Sequence, residues 1–136
     1  MMIAITRKVS PAISRCELTH LERQPIDLET AVAQHAEYEH ALRSLGVEVI
    51  SLPAEPELPD SVFVEDAALV LDEIAILTRP GARSRRPEVE SISQALHHYR
   101  TLKRVQAPGC LDGGDILQAG RMIYVGISSR SNTNAI

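Results

Sequence analysis

One order of segments occurs twice in this chain, and that duplication constrains its fold more than any single motif does. Helically spaced apolar residues, a short strand-like run, a proline-bearing break, an acidic turn, an apolar hairpin and an arginine-bearing tail follow one another. The same succession then returns, with Asp66 and Asp115 in equivalent places 49 positions apart. An internal repeat of about 50 residues implies units that bury their faces against neighbouring copies, and about three copies are usually needed to do so. The chain of 136 residues does not hold a whole number of them.

Each cycle can be read residue by residue. Met2 to Thr6 has the alternation of a first strand, and Ser10-Pro11 breaks it. Residues 10 to 26 read as loop, in which Leu18-Thr19-His20-Leu21 is apolar enough to be a lid or a buried connection. Asp27 is a good N-cap for a helix whose apolar positions Leu28, Ala31, Val32, Tyr38, Ala41, Leu42 and Leu45 run, with His35, up to a Gly46 stop. Val47 to Leu52 then predicts a strand, and prolines 53, 56 and 59 interrupt regular structure until the apolar strand candidate Val62-Phe63-Val64. Ala67 to Leu71 and Ile74 to Thr78 form a hairpin across Asp72-Glu73. In the second cycle Pro87 opens a helix carrying Val89, Ile92, Ala95, Leu96 and Tyr99. Leu102 to Gln106 is a strand, and Ile116-Leu117 pairs with Met122 to Val125 across Gly120.

Composition removes several classes of function. Charged residues interrupt every apolar run before the roughly 18 residues of a membrane helix, so no membrane partner is expected, and the apolar N-terminus ahead of Arg7-Lys8 reverses the order of a secretory signal. A cytoplasmic location follows as the expectation. A formal charge of −4, a single Phe and no Trp argue against nucleic acid as a partner. Cys16 and Cys110 read as free thiols, and the five histidines form no ligand set at metal spacing, so neither metal nor cofactor is expected.

The chemistry lies in carboxylates and arginines. Asp60, Glu65 and Asp66 fall within seven positions around Val62-Phe63-Val64, either as solvated loop acids or as a grip for a cation such as a guanidinium, whose fork of N–H donors matches paired carboxylates. Leu111-Asp112-Gly113-Gly114-Asp115 repeats the theme in a turn whose glycines permit close approach. One of its acids could hold an imidazole in the right tautomer, while Asp115 reads as a cap of its own turn. Arg79, Arg83, Arg85 and Arg86 form a basic loop, with Arg130 in the matching tail, either solvated or set to hold an anion. Together the two sets suit a zwitterion with a cationic head and a carboxylate tail.

Five stretches also occur in the order found in dimethylarginine dimethylaminohydrolases. They are Arg15-Cys16-Glu17-Leu18-Thr19-His20, Leu58-Pro59-Asp60-Ser61-Val62-Phe63-Val64-Glu65-Asp66, Thr78 to Arg86, Leu111 to Asp115, and Ser129-Arg130-Ser131-Asn132. The chain resembles the N-terminal half of such an enzyme. That resemblance implies an α/β fold, a partial pentein β/α-propeller of ββαβ-type repeats. Residues 1–136 would form the first two to three repeats of one pentein domain, with no separate second domain. It also implies hydrolysis of N-ω-methylated arginine to citrulline and a methylamine through a Cys thiouronium intermediate, with methylated arginine as the small-molecule partner.

Carried over position by position, Asp112 resembles the acid that orients the catalytic His. Asp60, Glu65 and Asp66 resemble guanidinium contacts, Leu18 the lid residue, and Arg85 and Arg130 the arginines at the substrate carboxylate. The family's nucleophilic Cys and catalytic His come from its C-terminal half and match no residue here, so the chain alone is expected to be inactive. Self-association through the edge left open by missing repeats is expected as well. Related pentein enzymes that deiminate arginine or transfer amidino groups, and a truncated non-catalytic arginine-binding or assembly module, are the alternatives.

Overall fold

A computed structural model describes residues 2–136, in two units, one running through Val64 and the other Glu65–Ile136. In the first, strand β1 (Ile3–Arg7) runs parallel to β2 (Glu48–Leu52), with Ile3 opposite Glu48 and Arg7 opposite Leu52. Parallel neighbours need a crossover. Helix α1 (Leu28–Ser44) supplies it. Its start is fixed as the sequence predicts, by the Asp27 carboxylate accepting the Thr30 N–H at 2.6 Å. At its other end Gly46 takes φ +80°, where a Cβ would be strained.

The apolar pattern of α1 holds only in part. Val32, Tyr38 and Leu45 are exposed, and the residue that the helix buries is Glu39. The Arg7 guanidinium is buried, paired with Glu55 at 2.8 Å and donating to the Pro53 carbonyl at 2.9 Å. The proline-bearing break is thereby tied to the end of β1.

The second unit contains a complete ββαβ element. Strands β3 (Ala68–Val70) and β4 (Ile74–Leu77) pair antiparallel across the expected turn. A 3₁₀ turn at Arg83–Arg85 leads past Pro87 into α2 (Glu88–Leu96). Strand β5 (Thr101–Arg104) then returns parallel to β4, with Ile74 opposite Thr101. Val89, Ile92 and Leu96 on one face of α2 are buried, as are Ala75 and Leu77 on β4. On the helix this spacing is the one the sequence announces as far as Leu96, whereas Tyr99, expected on the same face, lies beyond the end of the helix and is exposed. Strands β6 (Ile116–Ala119) and β7 (Met122–Val125) form a second antiparallel hairpin, turning at Gly120 with φ +60°.

The duplicated order is visible in this mixed α/β architecture. A 3₁₀ turn ending on Asp66 precedes β3, and one ending on Asp115 precedes β6. One expected element is absent: Val62-Phe63-Val64 is not a strand. The Asp60 carbonyl accepts the Phe63 N–H at 3.0 Å and the Leu58 carbonyl that of Ser61, so local turns satisfy this backbone and Phe63 stays exposed. Among the described residues β6 and β7 form a sheet of two strands alone, and Leu117, Met122, Ile123 and Tyr124 are all exposed on it. No helix among the described residues is long and apolar enough to cross a membrane.

Candidate functional site

In the first unit, Asp60 holds the segment that carries Leu18. Both oxygens of the buried Asp60 carboxylate accept the Glu17 N–H, at 3.1 and 3.0 Å, which fixes the backbone immediately before Leu18. Arg23 ties the same loop from the other side, donating to the Ser14 and Cys16 carbonyls. Leu18 and Leu21 are exposed, so of the two readings of this stretch the buried connection does not hold.

In the second unit, the two acidic turns meet. A Cβ on Gly113 would lie 1.9 Å from the Glu65 carbonyl oxygen and 2.9 Å from the Asp66 Cα, so only glycine permits this approach. The backbone of Asp66 is held in place by Thr78, whose hydroxyl donates to its carbonyl at 2.8 Å. Beside the junction, a Cβ on Gly114 would lie 3.1 Å from Asp66 Oδ1 and 3.2 Å from Asp112 Oδ1, which sets the two carboxylates around one point.

Asp112 is 3% exposed. Burial raises its pKa, and the neighbouring Asp66 carboxylate raises it further, against the opposing pull of the Gly114 N–H and Arg85. The ionised form of Asp112 is thus disfavoured by the carboxylate beside it. A cation placed between them would relieve that repulsion.

Arginines flank this pair. Arg85 Nη1 donates to Asp66 Oδ2 at 2.7 Å, and its Nε and Nη2 donate to Glu88, at 3.2 and 2.9 Å to Oε2. Burial works against the Arg85 charge, but the hydrogen bonds it donates to Glu88 and Asp66 outweigh this and raise its pKa above the ordinary value. Arg130 Nη1 stands 3.7 Å from Asp112 Oδ2 with its side chain 29% exposed. A Cβ on Gly81 would lie 2.6 Å from the Arg130 Cα, so the end of the basic loop and the second arginine tail also meet at a glycine.

The tail is clasped onto the second acidic turn. The Ser131 hydroxyl donates to Asp115 Oδ2 at 2.6 Å and accepts the Asp112 N–H at 3.0 Å, while the Ser128 hydroxyl also donates to Asp115 Oδ2 at 2.7 Å. Asp115 is therefore structural, as its sequence context suggests, but it caps serines of the tail rather than its own turn. The basic loop is not uniformly solvated, because Arg85 is buried, Arg86 donates to the Pro80 carbonyl, and Arg79 donates to the Gly109 carbonyl and the Cys110 sulfur at 3.2 Å. Both cysteines are free thiols. Sequence reading missed Glu88 and Ser131. Glu88 carried one usable signal, an acid three positions after an arginine at a helix start.

The chain is similar to known proteins along most of its length. A family model described as N,N dimethylarginine dimethylhydrolase, eukaryotic, matches residues 15–136. An N(G),N(G)-dimethylarginine dimethylaminohydrolase of Streptomyces coelicolor is 40% identical over 134 residues, 98% of this chain and 52% of the relative. A Pseudomonas aeruginosa protein of the same description is 42% identical over 108 residues, 78% of this chain and 42% of the relative. The Pseudomonas enzyme's structure as a cysteine-to-serine mutant with citrulline superposes with a TM-score of 0.94 at 36% identity, covering 98% of this chain and 53% of that one. A dimethylarginine dimethylaminohydrolase adduct with S-methyl-L-thiocitrulline gives 0.92 at 36% identity, with the same coverage. The N-terminal domain of ArgZ, at 19% identity and a TM-score of 0.80, shares the fold. The chain spans about half the length of the curated relatives it matches.

Proposed function

This chain belongs to the dimethylarginine dimethylaminohydrolase family, and from that membership we propose that it supplies the substrate-holding part of an enzyme converting N-ω-methylated arginine and water to citrulline and a methylamine. The observation that carries the reading is the buried Asp112 beside the partly buried Asp66, with Arg85 and Arg130 at their flanks. That arrangement matches a ligand with a guanidinium at one end and a carboxylate at the other.

In the second unit Asp112 orients the catalytic imidazole, Glu65 and Asp66 contact the guanidinium, and Arg130 acts at the substrate carboxylate. Arg85, which the resemblance implies as a second carboxylate contact, is read instead as serving the guanidinium end, because it is buried with its donors on Asp66 and Glu88. In the first unit Asp60 has the role of a guanidinium contact and Leu18 that of the lid residue. A Cys thiolate adds to the guanidinium carbon and the methylamine leaves with a proton. Water then cleaves the resulting thiouronium, restoring the thiol and releasing citrulline. Neither Cys16 nor Cys110 has that role, so the 136-residue chain alone does not turn over. The exposed β6–β7 hairpin supports association of the chain with a second copy of itself.

The test is a titration of the chain with dimethylarginine, arginine and citrulline, followed through the Gly113 and Gly114 amide signals. Dimethylarginine is expected to shift them in the natural chain but not in Asp112→Asn. No response to any of the three would overturn the reading of the site. Joined to the remaining half of a family enzyme, the chain is expected to release citrulline faster from dimethylarginine than from arginine, and the opposite preference would overturn the substrate. Turnover by the chain alone, abolished by Asp112→Ala, would overturn its inactivity.

A further inference from the structure

Glu88 belongs to no reading of the site so far, yet it is a carboxylate with 6% of its side chain exposed in the first turn of a helix. An acid there is favoured by the helix dipole wherever it points, and solvent exposure serves that purpose equally well. This one is instead turned inward onto Arg85. Its two oxygens take Nε at 3.2 Å each, and Oε2 also takes Nη2 at 2.9 Å. The planar guanidinium is thereby gripped along one edge, and its orientation about the side-chain axis is set. The opposite corner, Nη1, is then directed at Asp66 Oδ2, 2.7 Å away. Asp66 in turn offers its other oxygen to the point that it shares with Asp112.

We infer that Glu88 is a positioning residue, which acts through Arg85 to hold the Asp66 carboxylate in the orientation that receives a guanidinium. The inference rests on the reading of Asp66 as a guanidinium contact, and it adds a residue that touches no ligand. A residue that only braced α2 would affect all ligands alike or none. A residue that orients Asp66 affects ligands with a cationic guanidinium more than the neutral ureido compound citrulline, although the two share the same amino-acid end.

The experiment compares Glu88→Gln with the natural chain in two ways. First, the affinities for dimethylarginine and citrulline are measured by titration. The variant is expected to lose about tenfold for dimethylarginine and less than about twofold for citrulline, and equal losses would overturn the inference. Second, without ligand, nitrogen-15 spectra follow the Arg85 Nε–H. Its slow exchange is expected in the natural chain and in Asp66→Asn, and to be lost in Glu88→Gln. An unchanged Arg85 signal in Glu88→Gln would overturn the inference. If the natural chain binds neither ligand, the reading of the site fails, while the Arg85 signal still decides whether Glu88 sets the guanidinium. Should Glu88→Gln not fold, Glu88→Asp, too short to grip both nitrogens, is expected to give the same two changes, and its failure to do so would overturn the inference.

Discussion

Glu39 in the first unit and Asp112 in the second are both buried carboxylates, and their surroundings oppose each other. Burial alone would raise the pKa of Glu39, but the Ser51 and Thr6 hydroxyls, the Arg43 guanidinium and His35 together hold it down to about 2. Thr6 Oγ1 donates to it at 2.7 Å and Arg43 Nη2 at 3.0 Å, and His35 Nε2 stands 3.3 Å away. The ionised form of Glu39 is thus supported on every side. Asp112 has burial and a second carboxylate pushing its pKa up, so its ionised form is the strained one. A satisfied carboxylate stabilises the fold, whereas a strained one is poised for an incoming cation. The two positions therefore separate an acid whose charge the fold satisfies from one whose charge it does not, the second being the acid proposed for the site.

The contrast breaks first at Glu39. Glu39→Ala leaves Thr6 and Arg43 without their acceptor and is expected to cost about 2 kcal/mol in urea unfolding. A loss no greater than that of an exposed site, such as Glu37→Ala, would remove the structural role. The pH dependence sharpens the comparison. The Glu39 contribution is present above its model-peptide pKa of 4.5 and is lost as pH falls toward about 2. That of Asp112 has the opposite sign, because its pKa is raised: it is present below the ordinary carboxylate value and lost as pH rises through the raised one. Urea midpoints across pH are expected to lose their acid limb in Glu39→Gln and to keep it in Asp112→Asn.

At neutral pH, Asp112→Asn retains an oxygen for the Gly114 N–H and removes the repulsion. It is expected to raise the melting temperature by roughly 2–4 °C while abolishing the response to dimethylarginine. Lower stability together with retained binding would reverse the assignment of roles. The smallest effect concerns association. Ile123→Lys on the exposed hairpin is expected to lower the mass seen by light scattering at high concentration and to leave the melting temperature within about 1 °C. A monomeric natural chain would remove the proposed self-association.

Much of the fold is legible from local signals. Asp27 and Gly46 bound α1, Pro87 opens α2, and Gly120 turns the second hairpin, because each position depends on the conformational preference of one residue and its near neighbours. Val62-Phe63-Val64 misleads because β-branched and aromatic residues favour a strand only where a partner strand is present, and here the backbone closes on itself in turns. Of the site, the carboxylates and arginines are legible as types. Their pairing is not. Neither the burial of Arg85 among surface-like arginines nor that of Glu39 on a helix whose Tyr38 and Leu45 face solvent follows from spacing.

The sequence by itself determined the repeated order of elements, both ends of α1 and the start of α2, the zwitterion-like distribution of charge, and the family. Tertiary structure alone decided which charges are satisfied and which are strained. Thr6 reaches Glu39 across 33 positions of chain. Asp66 meets Arg85 across 19 and faces Asp112 beside Gly114. A carboxylate's protonation depends on solvent access and on charges a few ångströms away. Local sequence does not encode those distances, and the fold sets them by bringing glycine-lined turns from separate repeats into contact.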